Sequence, residues 1–95
     1  MESICCYILL CSDGTLYTGW TTNIQRRLQD HNAGRGGRYT RSRRPVELIY
    51  LEPQVDARAA RLREVSLKKL KRSEKLKLAD QAQGGRTQPA PPSFP

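Results

Sequence analysis

Ile4 to Cys11 is a run of apolar, β-branched and aromatic residues, Ser12-Asp13-Gly14 interrupts it with turn chemistry, and Leu16 to Thr21 resumes strand-forming residues. The pattern predicts a β-hairpin. Ile24 and Leu28 then recur at helical spacing, Asn23 can accept hydrogen bonds from the free amides of a helix start, and Gly34 can end the helix in the left-handed conformation. A first helix over about residues 24–33 follows. Residues 34–45 hold three glycines, a proline and five arginines, which reads as an exposed basic connection. Val46 to Leu51 is apolar apart from Glu47, as expected of a strand covered on both faces, and this places it at the centre of the sheet. Asp56 can cap a second helix from Ala57 to about Lys71, and Ser73 a third through Ala82. The order strand, strand, helix, strand, helix, helix is that of an α+β domain, a small sheet carrying helices on its faces. That domain is read as residues 1–82, with 83–95, rich in proline, as a disordered tail.

Within the hairpin, turn length decides which side chains meet. A two-residue Asp13-Gly14 turn would set Tyr7 opposite Trp20 and Tyr17 opposite Leu10, on different faces of the sheet. Sharing one site requires an odd-length turn or a bulge, and one of these is expected. On the first helix, Ile24, Arg27, Leu28 and His31 fall within one arc of about 100°. Arg27 could snorkel to water over an apolar stem, and His31 could be a satisfied core imidazole. Glu64 falls between Ala57, Ala60 and Leu67 in an apolar stripe, although Leu62, Val65 and Leu70 point elsewhere. A carboxylate facing a core needs a partner, either Arg27 or a divalent cation with phosphate nearby. On one flank of the same helix gather Arg61, Lys68, Lys69 and Arg72, a solvated face or a track for a phosphate backbone.

Charge points to the partner. The chain of 95 residues carries 17 lysines and arginines against 9 acidic residues, a net charge of +8 that attracts polyanions. It has no long apolar run and no basic amphipathic stretch with tryptophan or phenylalanine on its apolar side, so membrane binding is not expected. Cys5, Cys6 and Cys11 lack a second Cys or His pair at zinc spacing and read as buried structural thiols. Acidic Glu2, without lysine or arginine, precedes the first apolar run, which does not look like a signal peptide; the expected location is cytoplasmic.

Cys5-Cys6-Tyr7, Leu16-Tyr17-Thr18-Gly19, Arg26-Arg27-Leu28-x-x-His31-Asn32, Tyr39-Thr40-Arg41-Ser42-Arg43-Arg44-Pro45 and Glu64 with Lys68-Lys69-Leu70 together resemble the GIY-YIG nuclease superfamily, in particular its small stand-alone bacterial proteins. The resemblance covers roughly residues 4–80. It implies a three-stranded antiparallel sheet flanked by helices and metal-dependent endonuclease chemistry on DNA, structure- rather than sequence-specific, in repair or recombination. Carried over by position, Tyr7 and Tyr17 match the two motif tyrosines, one of which helps to activate the attacking water. Arg27 matches the arginine on the scissile phosphate, His31 a position held by histidine or tyrosine, and Glu64 the glutamate that binds magnesium or manganese. No small-molecule cofactor is implied, and the oligomeric state is open.

Tyr7, assisted by His31, is the expected base, with Tyr17 positioning water or phosphate. DNA contacts are expected from Arg35, Arg38, Arg41, Arg43, Arg44, Lys68, Lys69 and Arg72. Departures from the family pattern are Cys5 for the leading glycine, Trp20 where repair nucleases often have lysine, and no late asparagine after Asn32. They keep open a nucleic-acid-binding module without catalysis. A third class is an interaction protein whose basic loop docks on an acidic partner.

Overall fold

The computed structural model describes residues 3–84. Two strands, β1 (Cys5–Cys11) and β2 (Leu16–Thr21), are followed by α1 (Ile24–Asn32) and a short α2 (Arg38–Arg41); β3 (Val46–Pro53), α3 (Ala57–Lys68) and α4 (Arg72–Gly84) complete the domain. The sheet is three-stranded and antiparallel in the order β2-β1-β3. It is an α+β fold, as expected. Of the tail read as 83–95, residues 83 and 84 continue α4, and the remainder lies outside the described residues.

The hairpin turns on three residues. Cys11 N–H donates to the Thr15 carbonyl at 2.9 Å, enclosing Ser12, Asp13 and Gly14, and Gly14 takes the left-handed φ of 86° that closes such a loop. The Asp13 carboxylate braces it, accepting from the Thr15 amide at 3.1 Å and its hydroxyl at 2.6 Å. The odd count shifts the register so that Tyr7 pairs with Gly19 and Leu9 with Tyr17. Both tyrosines therefore stand on one face.

β3 is an edge strand, correcting the expectation that it is central. Central placement belongs to β1, where every residue except Leu10 is buried, whereas only Val46 is buried in β3. A bulge contributes to the misleading pattern: Ile8 pairs with Tyr50 and Leu9 with Leu48, so Ile49 is an extra residue that extends an apolar run without adding a ladder position.

Each sheet face has its own core. On one, Tyr7, Leu9, Cys11 and Val46 pack with Tyr17, Leu48 and the α1 residues Ile24 and Leu28. On the other, Cys6 packs with Ala60 and Leu67 of α3, joined by Ile4, Trp20, Leu70 and Leu78. All three cysteines are buried and unpaired, and the Cys6 thiol donates to the Ala60 carbonyl at 3.2 Å. Helix starts follow the sequence at Asn23, which accepts from the Arg26 amide, and at Asp56, which accepts from the Ala59 amide. For α4 the capping side chain is Glu74 rather than Ser73: its carboxylate accepts from the Lys71 amide at 2.8 Å, and the helix begins at Arg72.

Residues 34–45 are not the plain exposed loop that their composition suggests. The segment folds into α2 and buries Gly36 and Thr40 against α1. Arginine and glycine content reports solvent exposure on average, and here one threonine and one glycine supply the packing.

Thr18 is nearly fully buried on β2, and its hydroxyl is the buried side-chain polar atom without a hydrogen-bond partner among the described residues. Leaving such a group unsatisfied costs about 1–3 kcal/mol. Thr18→Val keeps the shape and removes the hydroxyl, so the variant should melt higher by roughly 4 °C or more. An unchanged or lower Tm contradicts this.

Candidate active site

The site assembles on the face shared by the tyrosines. α1 crosses it with Ile24 and Leu28 seated in the core, and the same stripe carries Arg27 and His31 inward, as the helical wheel predicts. Tyr7 is 1% exposed and His31 fully buried. The Tyr7 hydroxyl and His31 Nε2 are hydrogen-bonded at 3.0 Å, and His31 Nδ1 is bonded to the Thr40 hydroxyl at 2.7 Å. Arg27 Nη2 donates to the Gly36 carbonyl at 3.1 Å, and its positive charge favours ionisation of the Tyr7 phenol. The Tyr17 ring lies 5.2 Å from the imidazole, edge on, and 6.4 Å from the Tyr7 ring. Tyr39 stacks behind Tyr17 at 5.8 Å, and the Arg43 guanidinium lies 3.9 Å over the Tyr39 ring.

Burial keeps the central pair uncharged. It pushes the Tyr7 phenol up to about 12, against the opposing pull of the Arg27 guanidinium. It also pushes His31 down from 6.5 to about 4, with Arg27 repelling the imidazolium further. Near neutral pH the site therefore holds a phenol and a neutral imidazole. For His31 the folded-state value lies below the unfolded one, so its contribution to stability is full above pH 6.5 and is lost as pH falls through about 4. Across that window the fold should lose roughly 3 kcal/mol. Urea titrations should show a steeper loss between these pH values for the wild type than for His31→Gln, and identical slopes contradict the assignment.

Glu64 reaches the neighbourhood from α3, which packs against β1 and β2. Its charge lies near enough to Tyr7 to oppose ionisation of the phenol, although less than burial does. Of the two expected partners, Arg27 does not pair with it: Glu64 pairs with Lys68, one turn on, at 3.4 Å, while Arg27 donates to the Gly36 carbonyl. The Glu64 side chain keeps 20% exposure.

Tyr7, Tyr17, Arg27 and His31 thus converge on one face, while Glu64 acts on Tyr7 through its charge from α3. The basic residues divide differently from the expectation. Arg43 binds Asp13 at 3.0 Å and the Tyr39 carbonyl at 2.9 Å; Arg44 donates to the Arg41 and Asn32 carbonyls, and Arg72 to the Gly14 carbonyl. These three fasten loops to one another, and a long guanidinium stem makes that reach possible. Arg35 pairs with Asp30 at 3.2 Å near the surface, and Lys68 pairs with Glu64. Among the described residues Arg38, Arg41 and Lys69 are exposed, and no hydrogen bond or ion pair of their side chains is seen.

Four residues were given no role by the sequence reading, although Asn32, Tyr39 and Thr40 stand in the motifs that carry the resemblance. Gly36 presses on His31 so closely that a Cβ there would lie 2.2 Å from Nδ1. Thr40 and Tyr39 complete the wall on that side. Asn32 joins α1 to β3 by accepting from the Val46 amide at 2.7 Å and donating to its carbonyl at 3.1 Å. For Gly36 the one available signal was the short glycine-rich spacing after His31, which reads equally well as a turn. Trp20 packs on the opposite face with Arg61 5.9 Å from its ring, so its bulk does not crowd the site.

A catalytic-domain model, GIY-YIG, matches the chain over residues 3–77, a span that takes in all of these residues. The chain belongs to the GIY-YIG family. Among its relatives, a UPF0213 protein of Syntrophus aciditrophicus is 58% identical over 77 residues, spanning 79% of this chain and 87% of the relative. The UPF0213 protein CPE1444 of Clostridium perfringens is 51% identical over 72 residues, 76% of this chain and 77% of the relative. Solved structures share the fold: the UPF0213 protein BH0048 of Bacillus halodurans superposes with a TM-score of 0.55 at 37% identity over 88% of each chain. The protein EF2693 of E. faecalis gives 0.57 at 39% identity, covering 87% of this chain and 93% of its own. Membership in this catalytic-domain family points to nuclease chemistry. No described helix is long and apolar enough to cross a membrane.

Proposed function

We propose that this GIY-YIG domain is a magnesium-dependent endonuclease that hydrolyses DNA phosphodiester bonds, guided by DNA structure more than by sequence. The observation that supports it most is the buried Tyr7–His31 hydrogen bond, with Arg27 on the same stripe of α1 as His31. Because Tyr7 starts as a neutral phenol, it serves as a base by passing its own proton to His31 Nε2 while its oxygen takes one from the attacking water. Atoms balance: the water becomes the nucleophile and the imidazole holds the proton. Arg27 offers positive charge to the phosphate at the transition state. Tyr17, edge on to the imidazole, holds one wall of the water site.

The described residues contain no group of three His, Cys, Asp or Glu side chains that could cage a metal. A lone carboxylate fits magnesium, which keeps most of its water and takes phosphate oxygens as ligands, and Glu64 is that carboxylate. Bound there, the ion would stabilise charge on the leaving oxygen. Phosphate contacts fall to Arg38, Arg41 and Lys69. Along the outer side of α1, a polar groove of about 430 Å³, lined by Asn23, Gln25, Arg26, Gln29, Asp30 and Arg35, offers further room for a backbone. Such contacts position a strand without reading its sequence, which fits branched or damaged DNA in repair or recombination.

Labelled single-stranded, duplex, flap and junction DNA should be nicked with magnesium and spared with chelator. The absence of product on every substrate, with salt-sensitive binding retained, would instead favour a binding module without catalysis, a reading supported by Trp20 taking the place of a lysine after Gly19.

A further inference from the structure

Thr40 makes the shortest side-chain hydrogen bond in the site, 2.7 Å to His31 Nδ1, and both residues are fully buried. It is also the one buried residue of α2, a four-residue helix whose other side chains are exposed. What that helix brings to the fold is therefore one hydroxyl placed against one ring nitrogen.

A neutral imidazole carries its proton on one nitrogen, and the partner of the other nitrogen decides which. The Tyr7 hydroxyl has His31 Nε2 as its hydrogen-bond partner, and the charge of Arg27 acts on the same phenol. If His31 donated from Nε2, the phenol's own O–H would lack an acceptor in a buried place. With the proton on Nδ1, the phenol donates to Nε2 and Nδ1 donates to the Thr40 oxygen; the one hydrogen left to place is that of the threonine hydroxyl, which rotates to suit its surroundings. Gly36 blocks the escape route, because its α-carbon lies against the ring so tightly that a Cβ would stand 2.5 Å from His31 Cγ. The ring is fixed in place and orientation.

We propose that Thr40 is a positioning residue that holds His31 as the Nδ1–H tautomer, so that the free nitrogen faces the Tyr7 phenol. Its catalytic consequence rests on the reading of Tyr7 and His31 as the proton-accepting pair; the tautomer does not. The substrate touches neither the threonine nor Nδ1. Thr40 acts through the imidazole, in the manner of groups that orient a ligand or base from behind.

Nitrogen-15 NMR of the imidazole separates protonated from unprotonated ring nitrogens, without reference to activity. Wild type and Thr40→Ser should show a protonated Nδ1 and an unprotonated Nε2, and Thr40→Val should show a mixture. On DNA that the wild type cleaves, Thr40→Val should lower kcat about 10- to 100-fold with KM unchanged, and Thr40→Ser should restore most of it. A wild-type spectrum with the proton on Nε2 overturns the assignment, and so does Thr40→Val with the wild-type tautomer. If Thr40→Val fails to fold, the wild-type and Thr40→Ser spectra decide alone. If wild type cleaves no DNA, the nuclease reading fails, while the spectra still settle the role of Thr40.

Discussion

Glu64→Gln should lower metal-dependent cleavage by roughly three orders of magnitude, the loss expected when several kcal/mol of charge stabilisation is removed. The fold should survive the change. Glu64 is matched only by Lys68, whose side chain is 55% exposed, and an exposed pair one helical turn apart is worth about 0.3–0.5 kcal/mol. Glutamine keeps the shape and the polarity of the side chain and removes the charge that a hydrated magnesium ion needs. The two readouts therefore separate cleanly, with cleavage lost in a nicking assay and the thermal melt unmoved. A variant that nicks DNA as the wild type does removes Glu64 from the site. One that melts far lower would show instead that the carboxylate is structural.

Gly36→Ala is the second large effect, and it reaches chemistry through packing. The added carbon would lie 2.2 Å from His31 Nδ1 and 2.7 Å from His31 Cα, and the second of these is backbone that cannot swing aside. Either α1 or the glycine-containing segment must move. Both carry the site: the first bears His31 and Arg27, and the second supplies the carbonyl that holds the Arg27 guanidinium at 3.1 Å. Overpacking a tight contact costs about 1–3 kcal/mol, and a displacement of about 1 Å at reacting groups can cost 100-fold in rate. Gly36→Ala should thus melt lower and cleave at least tenfold more slowly. A variant with wild-type Tm and rate would show that the segment has slack which the contact distances deny.

Much of this arrangement was legible along the chain because it depends on local rules. Asn23 and Asp56 cap helices through their own side chains, the stripe of Ile24, Arg27, Leu28 and His31 needs only the helical period, and the parity of the hairpin follows from turn length. The GIY-YIG resemblance then supplied roles for residues that periodicity could only place. What escaped depends on where distant segments pass each other. Arg43 meets Asp13 across 30 positions and Arg72 meets Gly14 across 58, so residues that composition shows only as positive charge also fasten the fold. Thr40 looked like one more polar residue in a basic loop, since nothing local marks a hydroxyl that will lie under an imidazole. The Glu64–Lys68 pair is a different case, because a glutamate four residues before a lysine on a helix is readable in advance. The sheet order was misread where a bulge lengthened an edge strand's apolar run and the continuous burial of Cys5–Cys11 was the stronger clue.

The three-residue hairpin turn implies a rule for how this chain can drift. Ten positions separate Tyr7 from Tyr17, and each is anchored to the same face through the β1–β2 register. Inserting or deleting one residue at the turn would rotate one tyrosine to the far side of the sheet, under α3, without necessarily harming the hairpin. Two residues would leave them together. Among descendants of this sequence, the spacing of the tyrosines should change in even steps, or else be repaired by a compensating bulge; the loop is free in content and constrained in parity.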